Sequence, residues 1–207
     1  MNKRKLTIAI ITPLLLILID QIVKISVKTH MMINESIKVT DWFYISFTEN
    51  PGMAFGMEVI DKLYLTLFRI VAVIALACYL GYCVKKNLKT GYIIAIAAIV
   101  AGALGNVIDC VFYGEYFTHS YGQIASFLPE RGGYDVWMHG KVVDMLYFPL
   151  IDTTLPDWIP FWGGRSFVFF RPIFNIADSA ITCGIFAILL FYREYFIETE
   201  PSNTKKA

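Results

Sequence analysis

The last long apolar run of this 207-residue chain opens with Phe174-Asn175-Ile176-Ala177-Asp178-Ser179. The stretch places a carboxylate among residues that are otherwise apolar enough to cross a membrane. Burying such a carboxylate costs about 3 kcal/mol on insertion scales, so an Asp inside a membrane span indicates a functional site by default. A second carboxylate, Asp144, lies upstream in Lys141-Val142-Val143-Asp144-Met145. These two residues are the first candidates for chemistry.

The composition is that of a membrane protein. Apolar residues make up 57% of the chain and charged residues 17%, with a mean hydropathy of +0.56. The net charge of +1, without a basic stripe, argues against a nucleic-acid partner. The four cysteines all fall in apolar runs without zinc-site spacing, so we interpret them as small apolar residues.

Four apolar runs predict four transmembrane helices, at about residues 6–27, 63–84, 91–113 and 172–195. The first run is longer than the apolar region of a signal peptide and lacks a small-residue cleavage site, so we expect it to be retained. Pro172 is expected in the first turn of the fourth helix, where its missing N–H costs nothing. Residues 1–207 are therefore predicted to form a single integral membrane domain.

The two longer connections, 28–62 and 114–171, have different characters. The first contains the aromatic, β-prone run from Asp41 to Thr48 and then the turn Glu49-Asn50-Pro51-Gly52, which predicts a short strand pair or a surface-lying segment. The second is crowded with aromatic residues, which prefer the headgroup level of a bilayer. We therefore predict an all-α membrane protein with four transmembrane helices, a small extracytoplasmic β-like subdomain and a surface-lying loop segment.

The orientation follows from the basic residues close to the span ends. They concentrate in the N-terminal segment, in the 85–90 loop and at Arg193, whereas fewer lie at the opposite ends of the spans. The positive-inside rule therefore predicts that both termini are cytoplasmic and that the 28–62 and 114–171 connections face outward.

Three carboxylates on three predicted spans share one depth. Asp20, Asp109 and Asp178 each lie a few residues from the outer end of a span, roughly 6–10 Å inside the boundary at about 1.5 Å per residue. Lys24 follows Asp20 by four positions, and an ion pair at that spacing lowers the cost of insertion. We interpret Asp20 and Lys24 as a structural polar pair.

Asn106 precedes Asp109 by three positions, and Asn175 precedes Asp178 by the same spacing, so each pair lies on one helix face. Both pairs can line a single polar, water-reachable pocket at the outer leaflet. The two asparagines are interpreted as orienting groups, and Asp109 either packs helices together or takes part in the site. Arg69 in the second span has no partner that the sequence identifies.

Five blocks of sequence, in this order and on this four-span frame, resemble the lipoprotein signal peptidases, or type II signal peptidases. The blocks are residues 20–24, 49–56, 102–109, 142–144 and 174–178. The resemblance is thin across about 115–140 and 150–168. It implies a metal-free and cofactor-free aspartic endopeptidase that removes signal peptides from prolipoproteins, cutting before a cysteine that carries a diacylglyceryl group.

The resemblance also assigns residues and partners. Asp144 and Asp178 are implied as the catalytic dyad. The residues implied to bind substrate or support the dyad are Asn50, Gly52, Ala54, Phe55, Asn106, Asp109, Asn175 and Ala177. The family lies in the bacterial inner membrane with its active site near the outer leaflet, contacts membrane lipids and is inhibited by the cyclic peptide globomycin.

Two features depart from the family pattern. Cys110 stands where the family usually has Arg, so a cation that contacts substrate or lipid is either missing here or supplied by Arg131, Lys141 or Arg171. The spacers on either side of Asp144 are also longer than the family pattern, which predicts an added lid or surface layer.

Chemistry supports the same residues without the resemblance. Two carboxylates that share a site cannot both ionise easily, so one can activate water while the protonated one polarises a carbonyl. A small proton-coupled four-span transporter also needs buried carboxylates and is the alternative. It would carry polar groups to the inner face, and only Arg69 approaches that depth. A non-enzymatic scaffold would tolerate the loss of Asp144 and Asp178.

Overall fold

A computed structural model describes residues 2–52 and 61–195. The helices are α1 (Lys3–His30), α2 (Lys62–Lys85), α3 (Thr90–Tyr116) and α4 (Ile176–Phe191), with a 3₁₀ turn at Arg193–Tyr195. The strands are β1 (Ser36–Thr40), β2 (Phe43–Asn50), β3 (Val142–Tyr147), β4 (Ile151–Thr154), β5 (Ser166–Phe169) and β6 (Ile173–Phe174).

Three of these helices, α1, α2 and α3, are long and apolar enough to cross a membrane. Helix α4 is apolar but has 16 residues, about 24 Å at 1.5 Å per residue, against a hydrocarbon core of about 30 Å. It begins at Ile176 and not at 172, because Ile173 and Phe174 pair with β3 and Asn175 caps the helix. The prediction that Pro172 occupies the first helical turn is therefore wrong, since Pro172 precedes β6.

Helix α3 is central and packs against α1, α2 and α4. Two glycines allow α3 to approach its neighbours most closely. A Cβ atom at Gly102 would lie 2.1 Å from the carbonyl oxygen of Ala177 on α4. A Cβ at Gly105 would lie 2.9 Å from the carboxylate of Asp20 on α1. The small residues of α3 thus bring the polar faces of three helices together.

The strands form the β-like subdomain that the sequence predicts. β1, β2, β3 and β6 make an antiparallel sheet in that order, while β4 and β5 form a separate hairpin inserted between β3 and β6. Strand β3 therefore lies inside the sheet, with Asp144 opposite Thr48 of β2. Because β6 leads directly into α4, the sheet fixes the start of the helix that carries Asp178.

Candidate active site

Asp144 is held in the middle of β3 and is 4% exposed. The side-chain amide of Asn175 donates to its Oδ1 at 2.7 Å and also to the backbone carbonyl of Val143 at 3.3 Å. Asn175 precedes α4, so its amide links the strand that carries one acid to the helix that carries the other.

Asp178 is the third residue of α4 and completes a capping box with Asn175. Its backbone N–H donates to Asn175 Oδ1 at 2.8 Å, and its own Oδ2 accepts from the backbone N–H of Asn175 at 3.2 Å. Asn106 on α3 donates from Nδ2 to Asp178 Oδ1 at 2.8 Å. Both oxygens of Asp178 thus receive N–H donors at a helix N-terminus, an arrangement that stabilises a carboxylate.

Lys24 connects the helices behind this pair and is fully buried. Its Nζ lies 2.9 Å from Asp20 Oδ2, 2.9 Å from Asp109 Oδ2 and 2.9 Å from Asn106 Oδ1. Because Asn106 accepts from Lys24 through its oxygen, its amide nitrogen is turned toward Asp178. Lys24 therefore contacts two residues of α3 in addition to Asp20. The i, i+4 spacing alone predicted only the contact with Asp20.

Asp109 and Asp20 also fix the backbone beside the two acids. Asp109 Oδ2 accepts from the backbone N–H of Val143 at 3.2 Å, next to Asp144. Asp20 Oδ1 accepts from the backbone N–H of Ala177 at 2.9 Å, next to Asp178. Both carboxylates are buried, and their hydrogen bonds position β3 and α4 against the helix bundle.

The surroundings of Asp144 favour its protonated form. Burial, and then the negative charge of Asp178, raise the pKa of Asp144 to about 7. Asp178 by contrast has donors on both oxygens. The two carboxyl groups are therefore suited to share one proton, held on Asp144.

Asp144 and Asp178 line one cavity of about 240 Å³, which we call the catalytic cavity. It lies between α2, α3 and α4, and Asn50, Phe68 and Ile181 contribute to its wall. Gly52 follows Asn50 in a turn with φ of +88°, which favours glycine, and its N–H donates to Asn50 Oδ1 at 2.8 Å. The predicted site residues Ala54 and Phe55 lie outside the described residues.

Arg69 of α2 lines the catalytic cavity together with Asp144 and Asp178 and was missed as a site residue. The expectation that Arg69 approaches the inner face is therefore wrong. Arg69 Nη1 donates to Cys110 Sγ at 3.0 Å and its Nη2 to the Gly52 carbonyl oxygen at 3.4 Å. The cation beside Cys110 therefore comes from α2 and not from the long connection. A lone Arg within an apolar helix was the available signal.

The three expected replacements lie elsewhere. Lys141 Nζ lies 3.5 Å from Glu49 Oε2, Arg171 lines a separate cavity that also borders Asp144, and Arg131 is exposed. That separate cavity has a volume of about 390 Å³ and is also bordered by Thr48 and Asn50.

A second buried ionic cluster is centred on Lys28, one helical turn after Lys24 on α1. Lys28 pairs with Glu49 of β2, and its Nζ also donates to Ser120 Oγ at 3.0 Å. Ser120 Oγ donates in turn to Glu49 Oε1 at 2.6 Å. The Lys28 ammonium lies 5.0 Å from the ring centre of Tyr134 and 5.4 Å from that of Phe117. This cluster ties the 117–141 part of the long connection to α1 and the sheet.

Comparison with known proteins supplies a family for this geometry. The family model described as signal peptidase (SPase) II matches residues 12–193. The lipoprotein signal peptidase of Porphyromonas gingivalis is 51% identical over 179 residues, covering 86% of this chain and 79% of that protein. The lipoprotein signal peptidase of Amoebophilus asiaticus is 36% identical over 185 residues, covering 86% of this chain and 74% of that protein.

Two solved structures share the fold. Each is described as a bacterial membrane enzyme structure by the in meso method, at 2.3 Å and 1.9 Å resolution. The first has a TM-score of 0.60 at 24% identity and covers 95% of this chain and 94% of that chain. The second has a TM-score of 0.58 at 24% identity and covers 93% and 94%.

Proposed function

The chain belongs to the signal peptidase II family, and we propose that Asp144 and Asp178 are the carboxyl groups with which it removes signal peptides from prolipoproteins. The asymmetry of the two acids supports this assignment most directly. They line one cavity, but Asp178 receives N–H donors on both oxygens, while burial and the Asp178 charge raise the pKa of Asp144 to about 7. One acid is thus suited to be the base and the other the proton donor.

The reaction follows from this division of roles. Asp178 takes a proton from a water molecule, whose oxygen attacks the carbonyl carbon of the scissile peptide bond. Asp144 donates a hydrogen bond to the carbonyl oxygen and stabilises the negative charge that develops there. The C–N bond then breaks as the proton held by Asp178 passes to the leaving nitrogen. Water is divided between the two products, and Asp178 returns to its ionised form.

The supporting residues act through position. Asn106 and Asn175 orient the two acids, Asp109 holds β3 through Val143, and the backbone N–H of Ala177 docks α4 onto Asp20. Asn50 and Gly52 form the turn at the mouth of the catalytic cavity, where an extended substrate can pass. Arg69 supplies a cation to the same wall, suited to carbonyl oxygens of the substrate.

The placement in the membrane completes the proposal. We expect α4 to act as the fourth span, both termini to lie in the cytoplasm, and the dyad to lie near the outer leaflet of the bacterial inner membrane. The distribution of basic residues supports this orientation. Reporter fusions after Lys86 should read cytoplasmic and a fusion near Gly133 should read external. An external signal after Lys86 would contradict the orientation.

Partners follow from the substrate. A prolipoprotein whose cysteine carries a diacylglyceryl group would reach the dyad from within the bilayer, where its acyl chains contact membrane lipids. The cyclic peptide globomycin is expected to occupy the catalytic cavity between Arg69 and the dyad and to compete with the substrate.

A gel-shift assay on a diacylglyceryl prolipoprotein tests the dyad. Asp144→Asn and Asp178→Asn should each lower turnover by at least about 10³-fold, because Asn keeps the shape but cannot transfer the proton. The double variant should be no slower than either single variant, since the two residues act as one unit.

The matched control is Asp152→Asn, at an exposed position of the β4–β5 hairpin, which should retain full turnover. Near-normal turnover by either dyad variant would remove that residue from the mechanism. Inhibition of the wild-type enzyme by globomycin would show that the assay reports this activity.

A further inference from the structure

The β4–β5 hairpin has one apolar face and one polar face. In an antiparallel pair, residues that lie opposite each other project from the same side of the sheet. Ile151 lies opposite Phe169. Thr153 lies opposite Phe167, two positions along each strand and therefore on the same side. We call this side the apolar face of the hairpin. The polar face carries Asp152, Thr154, Ser166 and Val168.

The apolar face is exposed. Ile151 and Phe169 are each 51% exposed, and Phe167 is 39% exposed. Both strands are exposed along almost their whole length. A two-stranded hairpin on its own is at best marginally stable in water, and clustered exposed apolar side chains indicate an interaction surface. The hairpin therefore needs a partner layer against its apolar face.

The hairpin tip, residues 155–165, exposes larger rings still. These are Trp158 at 80%, Phe161 at 92% and Trp162 at 60%. The tip is an ordered turn, in which the Gly163 N–H donates to the Ile159 carbonyl oxygen at 2.9 Å. Phe161 has φ of +65°, a left-handed conformation that is rare for a bulky residue. Since this strained residue gains almost no packing within the chain, its ring is placed for a contact outside it.

The position of the hairpin in the chain indicates what that contact is. Phe148 precedes the hairpin and Phe170 follows it, and both rings contact Phe174, with ring centres 5.7 Å and 5.9 Å away. Phe174 lies two residues before α4, which exposes large apolar side chains such as Phe186 and Leu190. In a membrane enzyme such a helix surface faces lipid. Both ends of the hairpin are thus held at the start of a lipid-facing helix.

The residue types at the tip are those of a membrane–water interface. Tryptophan rings prefer the headgroup level of a bilayer, and two of the four tryptophans of the chain lie in this tip. The guanidinium of Arg165 lies 5.8 Å from the ring centre of Trp162. A cation beside such a ring can pair with a lipid phosphate while the ring enters the apolar layer. The chemistry of the tip therefore matches a lipid surface.

We propose that the β4–β5 hairpin is a membrane anchor, whose apolar face and tip insert into the headgroup layer on the dyad's side of the bilayer. Strand β3 with Asp144 precedes the hairpin, and α4 with Asp178 follows it, so the anchor fixes the height of both segments above the hydrocarbon layer. The resemblance to the family is thin across 150–168, and its pattern assigns the hairpin no role. The anchor does not depend on the chemistry of the two acids.

Two neighbouring threonines provide a matched test. Thr153→Trp puts a fluorescent reporter on the apolar face, and Thr154→Trp puts the same reporter on the polar face. Each is made in a chain whose four native tryptophans are replaced by phenylalanine and is reconstituted in vesicles of phosphatidylcholine and phosphatidylglycerol. Phosphatidylcholine with brominated acyl chains should quench Thr153→Trp at least about threefold more than Thr154→Trp. Iodide in the water should quench Thr154→Trp more strongly.

A second pair and a tip variant extend the test. Phe167→Trp and Ser166→Trp repeat the comparison on β5, which keeps the test decisive where a β4 variant does not fold. The combined variant Trp158→Ser, Phe161→Ser and Trp162→Ser removes the rings of the tip. In the Thr153→Trp chain it should lower quenching by the brominated lipid at least about twofold.

Three outcomes would overturn the anchor. The first is equal quenching of the two faces by the brominated lipid. The second is protection of the apolar-face reporter from both the lipid and the iodide, because protein would then cover that face, either a second copy of this chain or another partner. The third is unchanged lipid quenching in the tip variant.

Discussion

Two buried lysines one helical turn apart on α1 serve different parts of the molecule. Lys24 is 0% exposed and Lys28 is 1% exposed, and each is paired with acidic side chains. The partners of Lys24 lead through Asn106 to Asp178, whereas those of Lys28 lead through Glu49 and Ser120 to the long connection. The two lysines are alike in burial and charge, and only their hydrogen-bond partners show which of them is linked to Asp178.

The two clusters also balance their charges differently. Lys24 lies between two carboxylates, so its single positive charge balances only one of the two negative charges. Neutral donors stabilise the other, as Gln21 does by donating to Asp109 Oδ1 at 2.9 Å. Lys28 shares a single carboxylate with Lys141 and is surrounded by aromatic rings. Removing the lysine should therefore have different consequences in the two clusters.

Removing each ammonium should produce the largest effects. Lys24→Met leaves Asp20 and Asp109 close together without a cation, and loss of one partner of a buried pair typically costs about 3–5 kcal/mol. We expect it to lower both the thermal unfolding temperature and the kcat of the protein that remains folded. Lys28→Met should lower the unfolding temperature comparably but leave kcat within about threefold of the wild type. Thermal unfolding in detergent and turnover per folded molecule measure the two effects.

If Lys28→Met reduces turnover per folded molecule as far as Lys24→Met does, the distinction between the clusters is lost. A folded Lys24→Met with normal kcat would equally show that its link to Asp178 is not used.

Removing the middle link of each cluster should separate chemistry from stability. Asn106→Ala removes the donor to Asp178 and should lower kcat by about 10²-fold with a small change in KM. Ser120→Ala removes the hydroxyl that donates to Glu49 and should cost about 1.5–3 kcal/mol of unfolding free energy without changing kcat. Steady-state kinetics and chemical denaturation provide the two readouts, and the reverse pattern would contradict the assignment.

Asp144 and Glu49 should contribute to the pH dependence of stability with opposite signs. The pKa of Asp144 is raised from 3.8 to about 7, so the folded chain keeps a proton that the unfolded chain releases, and stability falls as the pH rises through that range. Asp144→Asn removes this fall. At pH 8 the unfolding temperature of Asp144→Asn should exceed that of the wild type by roughly 2–4 °C for each kcal/mol of unfolding free energy gained. At pH 4 the two unfolding temperatures should be equal.

Glu49 provides the contrast. Burial acts to raise its pKa, but the charge of Lys28 and hydrogen bonds from Lys28 and Ser120 outweigh burial and lower the pKa below 4.5. The ionised Glu49 therefore stabilises the folded state above that pH, and this stabilisation is lost as the pH falls and Glu49 is protonated. Glu49→Gln should therefore be less stable than the wild type at pH 7 and approach it on acidification. Parallel pH profiles for the two variants would refute the opposite signs.

The smallest effect is expected at Asp20. Asp20→Asn still offers an oxygen to the backbone N–H of Ala177, and Lys24 keeps Asp109 as its partner. We expect a loss of about 1 kcal/mol of unfolding free energy and less than a tenfold change in kcat. The control is Asp41→Asn, which removes an exposed pair with Lys38 and should change neither quantity measurably.

Local spacing predicted part of this site. The i, i+4 relation of Asp20 to Lys24 and the i, i+3 relation of Asn175 to Asp178 appear in the structure as an ion pair and a capping box. Such contacts depend only on helical geometry, which one sequence reveals. The β-prone run before Asn50 likewise became a strand, because strand propensity and a following turn are local signals.

The remaining contacts depend on the packing of distant segments. Arg69 and Cys110 are 41 positions apart and meet because α2 packs on α3. Lys28 and Ser120 are 92 positions apart, and nothing in either segment indicates the other. The start of α4 was misplaced because the pairing of Ile173 with Tyr147 of β3 overrides the apolar pattern that continues into the helix.

Asn175 has a consequence for the timing of the enzyme's activity. The same side chain caps α4 and donates to Asp144, so the fourth helix cannot start correctly without also joining the two halves of the dyad. On the proposed function, a nascent chain whose last helix has not docked therefore lacks an assembled dyad. Docking of α4 would therefore protect neighbouring apolar helices from premature proteolysis during insertion. A chain truncated before Ile173 should insert but show no cleavage until residues 173–195 are supplied in trans.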